Sequence, residues 1–219
     1  MDAQKLDALM EQAVDDADLV SAEIPSIDLY LEQILQLVAE KSNQGSSTVD
    51  RTLTKNMINN YSKDGLITPV RGKKYTKEQI VQMLVVCSLK NTLSIEEIGR
   101  VMQGIYAAED YSGEALIAAY DKAMALKQAQ KHRCPEIVRE IMSEESLHCE
   151  VGEDYFVALL TVASLSAYFR NIAKAMLEQF PLPESEEERK VREKEEKKAR
   201  KEAKKKAEEG AKESAEEAL

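Results

Sequence analysis

Nine residues, KNMINNYSK at positions 55–63, carry a polar pattern that could recognise another molecule. Its amide and ammonium groups recur at i, i+3, i+4 and i+7, the spacing of one helix face: Asn56, Asn59, Asn60 and Lys63. An asparagine amide can form two hydrogen bonds to an adenine edge, and an ammonium can neutralise a phosphate. The pattern therefore predicts a helix whose polar face suits duplex DNA, against the simpler interpretation of a solvated surface helix.

A second polar group follows in the turn PVRGKKY, residues 69–75. Arg71, Lys73 and Lys74 could bind the DNA backbone or minor groove, with Tyr75 beside them and Lys55 at the start of the preceding helix. Residues 50–80 carry seven basic and three acidic side chains, whereas residues 1–49 carry two basic and ten acidic ones. A basic island in a chain of net charge −10 favours an anionic ligand for this segment.

Local signals indicate how these groups are positioned. Thr54 is a suitable cap for a short helix that Gly65 ends, and three apolar side chains of that helix should face inward: Met57, Ile58 and Tyr61. Leu66 and Ile67 then begin an extended stretch, and Gly72 fits the turn of a tiny hairpin. Two capping boxes, Thr76–Gln79 and Ser94–Glu97, predict helices over 77–90 and 95–107.

The remainder of the chain also reads as helix, so the predicted fold class is all-α. Composition supports this, because the 219 residues include eight Gly, five Pro and no Trp, and Leu, Ile, Val, Ala and Met must build the core. Periodic apolar residues predict helices in five further ranges, with Ser26 capping the second and Pro135 in the first turn of the fourth: 1–22, 27–41, 112–131, 135–144 and 153–179.

The run YFVALLTVASLSAYF, residues 155–169, is the longest apolar stretch. It is shorter than the roughly 20 residues that a spanning helix needs, so we expect a buried core helix, with a dimer interface as the alternative and no membrane partner.

Three cysteines do not form a disulfide framework, and the acidic N-terminus lacks the apolar region of a signal peptide. These features predict a cytoplasmic protein.

The stretch MINNYSKDGLITPVRGKKYTKEQI, residues 57–80, resembles the MerR-type winged helix-turn-helix. The matching positions are Tyr61, Gly65, Leu66, Ile67, Pro69, Arg71, Lys73, Tyr75 and Ile80, and SLKNTLSIEEI at 88–98 is similar to the helices that follow. Asn59 stands where that family keeps an arginine. Lys63 and the cations Arg71, Lys73 and Lys74 of the turn at 69–75, which corresponds to the wing of that family, are therefore expected to supply the phosphate contacts. From IPSIDLYLEQ at 24–33 to about residue 180, the chain resembles an uncharacterised bacterial family, domain of unknown function 1836.

Together with the helical spacing and the charge composition, the resemblance implies four segments. They are an amphipathic N-terminal helix at 1–23, a MerR-like winged-helix module at 24–107, a helical dimerisation or effector module at 108–183, and a charged Lys/Glu-rich tail at 184–219, helical or disordered. It further implies a DNA-binding transcription regulator that acts as a homodimer and responds to a small-molecule effector. The alternative is an adaptor that keeps the winged-helix shape without DNA and contacts protein partners through the anionic helices at 1–49 and the Lys/Glu tail. The acidic N-terminal helix could also cover the basic face as a DNA mimic, which would make binding regulated.

No cofactor or catalytic site is expected. Two His–Cys pairs, His132 with Cys134 and His148 with Cys149, contain zinc-ligand types, but their spacing matches no standard zinc motif. Small, partly buried cysteines are the preferred interpretation, so no metal site is predicted. The sequence has no glycine-rich phosphate loop and no nucleophile placed with a base, and we therefore predict that the protein is not an enzyme.

Overall fold

The computed structural model describes residues 3–47, 53–144, 146–148 and 150–180. Eight α-helices and one two-stranded sheet lie within this part of the chain. In order they are α1 (Ala3–Val14), β1 (Leu29–Tyr30), α2 (Leu31–Ser42), α3 (Lys55–Lys63), β2 (Lys74–Tyr75), α4 (Lys77–Leu89), α5 (Ile95–Ala107), α6 (Gly113–Gln130), α7 (Arg133–Glu144) and α8 (Gly152–Glu178). The prediction of a mostly helical protein is confirmed, and the tail at 184–219 lies outside the described residues.

The hydrophobic core is built around α4. Ile80, Val81, Met83, Leu84 and Val86 of this helix are all buried. One continuous cluster surrounds them and runs from Leu19 to Met124, with contributions from β1, α2, α3, α5 and α6. Because that cluster crosses residue 107, the segment predicted to be a winged helix and α6 share one core; the boundary predicted between 24–107 and 108–183 stays a prediction.

Both capping boxes are confirmed. The backbone N–H of Gln79 donates to the Thr76 hydroxyl (3.3 Å), and the backbone N–H of Thr76 donates to the Gln79 side chain (3.0 Å). The equivalent bonds at Ser94 and Glu97 measure 3.2 and 2.7 Å. Each box pairs two backbone groups that a helix start would otherwise leave without partners, so these starts are set by local sequence alone.

The N-terminal helix is shorter than predicted. It ends at Val14, and residues 15–20 are not helical. The Lys127 ammonium pairs with the carboxylates of Asp16 and Asp18, and Lys131 pairs with Asp15 at 3.0 Å. These carboxylates form ion pairs with cations more than a hundred residues away in the sequence. Residues 15–20 are therefore held outside the helix that was expected to continue to residue 22.

The second helix also begins later than predicted. Leu29 and Tyr30 form β1, and α2 starts at Leu31 with the Tyr30 N–H bonded to the Gln33 side chain at 2.8 Å. The predicted cap at Ser26 is therefore wrong. β1 pairs antiparallel with β2, Leu29 opposite Tyr75 and Tyr30 opposite Lys74. β2 thus pairs with a strand before α2. The tiny hairpin expected after Leu66 and Ile67 is therefore wrong, because neither residue is in a strand and both side chains are buried in the core.

The apolar helix α8 is placed as predicted but is not a core helix. Only Ala158 and Leu177 of its 27 residues are buried, whereas Phe156 is 58% exposed and Leu160 52%. The expectation of a buried helix is therefore wrong. By length and composition alone, α8 could also cross a membrane. That finding corrects the inference drawn from the shorter run at 155–169, and the cytoplasmic location remains a prediction.

Candidate nucleic-acid interface

The predicted recognition helix is α3, and it presents the expected polar face. Thr54 caps it by accepting from the Met57 N–H at 3.2 Å, while Ile58 and Tyr61 are buried and Met57 packs partly against the core. The apolar side chains anchor the helix and so fix which face points outward. All five predicted DNA-binding side chains of α3 are exposed to solvent: Lys55, Asn56, Asn59, Asn60 and Lys63.

Two glycines shape the connection from α3 to the wing. Gly65 (φ 70°) and Gly72 (φ 89°) both adopt a left-handed backbone conformation that other residues rarely tolerate. The first ends α3 one residue after Asp64, and the second lies in the turn that leads into β2. The chain can therefore leave α3 abruptly and return toward β1 within ten residues.

The wing exposes its three cations. Arg71, Lys73 and Lys74 are all solvent-exposed, and the Lys74 ammonium lies 5.0 Å from the centre of the Tyr30 ring on the adjoining strand. Such a cation–π contact restrains the side chain and keeps its charge at the surface. Tyr75 differs from the others, because it is half-buried and packs against the core while pairing with Leu29.

Two buried glutamines hold the base of the wing, and the sequence pattern did not reveal their role. The Gln79 side-chain amide donates to the carbonyls of Thr68 (3.1 Å) and Pro69 (3.2 Å). The Gln82 side-chain oxygen accepts from the Thr68 N–H (2.9 Å) and hydroxyl (3.1 Å). Since a buried amide is costly unless it is bonded, these contacts fix the wing to α4. Two glutamines three residues apart, next to the apolar run of α4, were the available signal.

The same network reaches the loop between α5 and α6. The Gln82 amide donates to Glu78 (3.1 Å) and Tyr111 (3.3 Å), and the Tyr111 hydroxyl donates to the Glu78 carboxylate. Burial, and then the bond to Glu78, raises the pKa of Tyr111 to about 12, so its proton stays in place. Tyr106 donates to the Leu66 carbonyl at 2.8 Å. The segment between α3 and β2 is thereby held by Gln79 and Gln82 of α4 and by Tyr106 of α5, while Tyr111 supports Gln82 from the loop.

The acidic N-terminal helix does not cover this surface. Arg139 of α7 donates to Asp7 (2.8 Å) and Glu11 (2.6 Å) of α1. These ion pairs, with the packing of α1 on α7, engage acidic side chains of α1 at a site away from α3. The DNA-mimic arrangement is therefore absent from the residues that the structure describes, and the cations of α3 and the wing remain exposed.

The His–Cys pairs do not form a cluster in the described residues. His132, Cys134 and His148 are all exposed, while Cys149 lies outside the described part of the chain. His132 borders a cleft between α1 and the turn that precedes α7, and His148 borders a different cleft beside Arg139. Within the described ranges, no three His, Cys, Asp or Glu side chains are grouped closely enough to hold a metal ion.

A cleft of about 230 Å³ offers one place for a small ligand. It lies between the segment Ala17–Leu19 and helices α2, α4 and α6, with Lys41, Cys87 and Tyr120 among its lining residues. Both ammonium groups at its edge already have carboxylate partners, since Lys41 pairs with Glu23 and Lys127 with Asp18. The cleft is therefore nearly neutral and more suited to a small uncharged molecule than to an anion.

The geometry defines a class: a small helical domain with one core, an exposed Asn/Lys helix and a basic wing. Residues 19–123 match the family model described as a domain of unknown function (DUF1836). This match supports the resemblance to that family over residues 19–123, a segment that nearly coincides with the core cluster from Leu19 to Met124. No curated protein and no solved structure matches the chain.

Proposed function

We propose that this protein binds double-stranded DNA in the manner of a MerR-like transcription regulator, with α3 in the major groove and the wing on the backbone or minor groove. The observation that carries the proposal is the joint exposure of the α3 polar face and the wing cations. Their positions are fixed by buried anchors on one side and by the Gln79 and Gln82 contacts on the other. A rigid surface of this kind loses little entropy on binding, which favours affinity.

The α3 face and the wing have different parts in the proposal. Asparagine amides read base edges, so Asn56, Asn59 and Asn60 supply sequence preference. The charged groups Lys55, Lys63, Arg71, Lys73 and Lys74 neutralise phosphates and supply most of the affinity. Tyr75 supports the wing from the core side. Because each chain has few cations on this surface, its affinity for DNA is modest and falls as the salt concentration rises. A homodimer doubles the number of contacts to DNA.

The test is a gel shift or fluorescence anisotropy titration with genomic DNA fragments at low salt. Lys73→Ala/Lys74→Ala is compared with Lys122→Ala/Arg133→Ala, which removes two exposed positive charges from α6 and α7. We expect the wing variant to bind at least about tenfold more weakly and the control to bind like the unmodified protein. Equal binding by both variants would exclude the wing as a DNA contact.

The same titration separates the DNA-binding proposal from the adaptor alternative. An adaptor predicts no binding to any duplex at low salt, from the unmodified chain or from either variant.

The effector remains part of the proposal, and the cleft at Ala17–Leu19 is where we place it. Leu84 lies between this cleft and the α4 core, so an occupant would contact the helix that holds the wing.

A further inference from the structure

The outward face of α3 presents three side-chain amides that the fold itself does not use. Asn56, Asn59 and Asn60 are exposed, and their amides form no hydrogen bond with another residue that the structure describes. The opposite face of the helix is anchored, because Ile58 and Tyr61 are buried in the core. The amides are therefore held at the surface with their donors and acceptors available to a ligand.

The three amides are arranged symmetrically about one line of the helix. With about 100° of rotation per residue, Asn56 and Lys63 lie close to a common line along the outward face. Asn59 and Asn60 lie on opposite sides of that line, each about 50° away from it. In a major groove, Asn59 and Asn60 therefore face different strands, while Asn56 lies over the middle of the groove.

Their separation along the helix matches the spacing of stacked bases. The rise of about 1.5 Å per residue places Asn60 about 6 Å beyond Asn56, with Asn59 between them. That distance is about two base-pair steps of roughly 3.4 Å for a helix that follows the groove. The amides therefore cover about three consecutive base pairs, and Lys63 lies one step further, at the end of α3 that leads to the wing.

An amide selects adenine among the bases that a major groove displays. Adenine presents the N7 acceptor beside the N6 donor, so one asparagine side chain bonds to both at once. Guanine presents two acceptors and cytosine one donor, so part of the amide would lose its partner there. We propose that α3 reads a run of about three A·T pairs, with the adenines under Asn59 and Asn60 on opposite strands.

This inference rests on the proposed function and adds the base specificity of its recognition surface. Lys63 and the wing cations bind phosphates, which are the same in every sequence. A change at the wing should therefore weaken binding to all duplexes alike. A change at an amide should alter which duplex is preferred, so the two kinds of contact are separated by measuring affinity and preference together.

The first experiment selects duplexes from a random-sequence pool with the full chain at low salt. We expect enrichment of consecutive A·T pairs, and the bound duplex is then remade with G·C or inosine·cytosine at each of them. Inosine has the major-groove acceptors of guanine but lacks its minor-groove amino group, so both replacements should weaken binding about tenfold per pair. Inosine·cytosine that binds as well as A·T, or enriched adenines confined to one strand, would indicate minor-groove or shape readout and overturn the inference.

The second experiment removes the amides one at a time. Asn59→Ala and Asn60→Ala should each reduce the preference for A·T over G·C at one base pair from about tenfold to near equality. Asn171→Ala, at an exposed position of α8, is the matched control and should keep the full preference. Lys73→Ala/Lys74→Ala should weaken binding to both duplexes without changing their ratio. Circular dichroism confirms that every variant is folded.

The outcomes separate this inference from the proposed function. Duplex binding with an unchanged A·T preference in both asparagine variants, or with no A·T preference in the unmodified chain, overturns the inference and leaves DNA binding intact. An unmodified chain that enriches no duplex and binds none at low salt refutes DNA binding itself, and the inference with it.

Discussion

Helices α4 and α8 are both apolar, yet the fold uses them in opposite ways. Seven of the thirteen residues of α4 are buried, whereas α8 buries two of its 27. The first is surrounded by the elements of the family-matched segment, and the second lies beyond it and contacts α7. Apolar content alone therefore does not identify a core helix, because burial depends on how many elements the chain supplies to cover it.

The polar residues of the two helices differ in the same way. The glutamines of α4 are buried and fully bonded, so they act as rigid attachments for the wing. The serines of α8 behave differently, since Ser166 is exposed and donates only to the Ala163 carbonyl one turn back. A glutamine inside the α4 core is held by several distant segments, while the Ser166 hydroxyl of α8 bonds only within its own helix.

The largest expected difference is in stability. Met83→Ala on α4 should lower the free energy of unfolding by about 2–5 kcal/mol, because it leaves a cavity in a fully buried site. Leu159→Ala on α8 should change it by no more than about 0.5 kcal/mol, because that side chain is exposed. Urea denaturation at protein concentrations low enough for monomer measures both. Equal losses would show that α8 is a core helix in solution.

A smaller effect is expected from the wing attachment. Gln82→Leu should cost about 1–3 kcal/mol, because it leaves the Thr68 N–H and the Tyr111 hydroxyl with fewer partners in a buried site. It should also weaken DNA binding, although Gln82 itself is buried and cannot touch DNA. Gln103→Leu, at an exposed position of α5, is the control for the loss of a glutamine. Unchanged stability and affinity in Gln82→Leu would show that the wing does not depend on this amide.

The smallest effect concerns the contact that ties α8 to α5. The hydrogen bond from Lys174, followed by the N–H of Ser94, lowers the pKa of Glu97 from 4.5 to about 2. A lowered pKa means that the ion pair contributes stability above about pH 4.5 and loses it as the pH falls toward 2. Lys174→Met should raise the pKa of Glu97 in an NMR titration, while Ser94 still keeps it below 4.5. An unchanged pKa would contradict the contact.

The sequence predicted the elements that depend on near neighbours. The boxes at Thr76 and Ser94 are complete within four residues, and the outward face of α3 follows from helical spacing and a local cap. The residues of the candidate site could therefore be assigned to the correct helix and turn from these local patterns alone. Local hydrogen bonds and periodicity are properties of short stretches, and those are what a single sequence displays.

The features that sequence analysis missed depend on distant partners. β1 forms because Leu29 pairs with Tyr75 of β2. Helix α1 ends early because the carboxylates of Asp16 and Asp18 pair with the Lys127 ammonium. The role of Gln82 requires Thr68 and Tyr111 to be adjacent to it. The exposure of α8 depends on which elements fail to cover it, and an apolar pattern is the same whether the covering partner is the core or a second copy.

Hydrogen–deuterium exchange of the full chain, with and without bound duplex DNA, is the most direct test of the proposed DNA interface. We expect DNA to slow exchange in α3 (Lys55–Lys63) and in the wing at 71–75, while the exchange of α8 is unchanged. Slower exchange in these segments alone would place the DNA on the surface that the sequence and the fold together indicate. Bound DNA that leaves α3 and the wing unchanged, or that protects α8 instead, would contradict this interface.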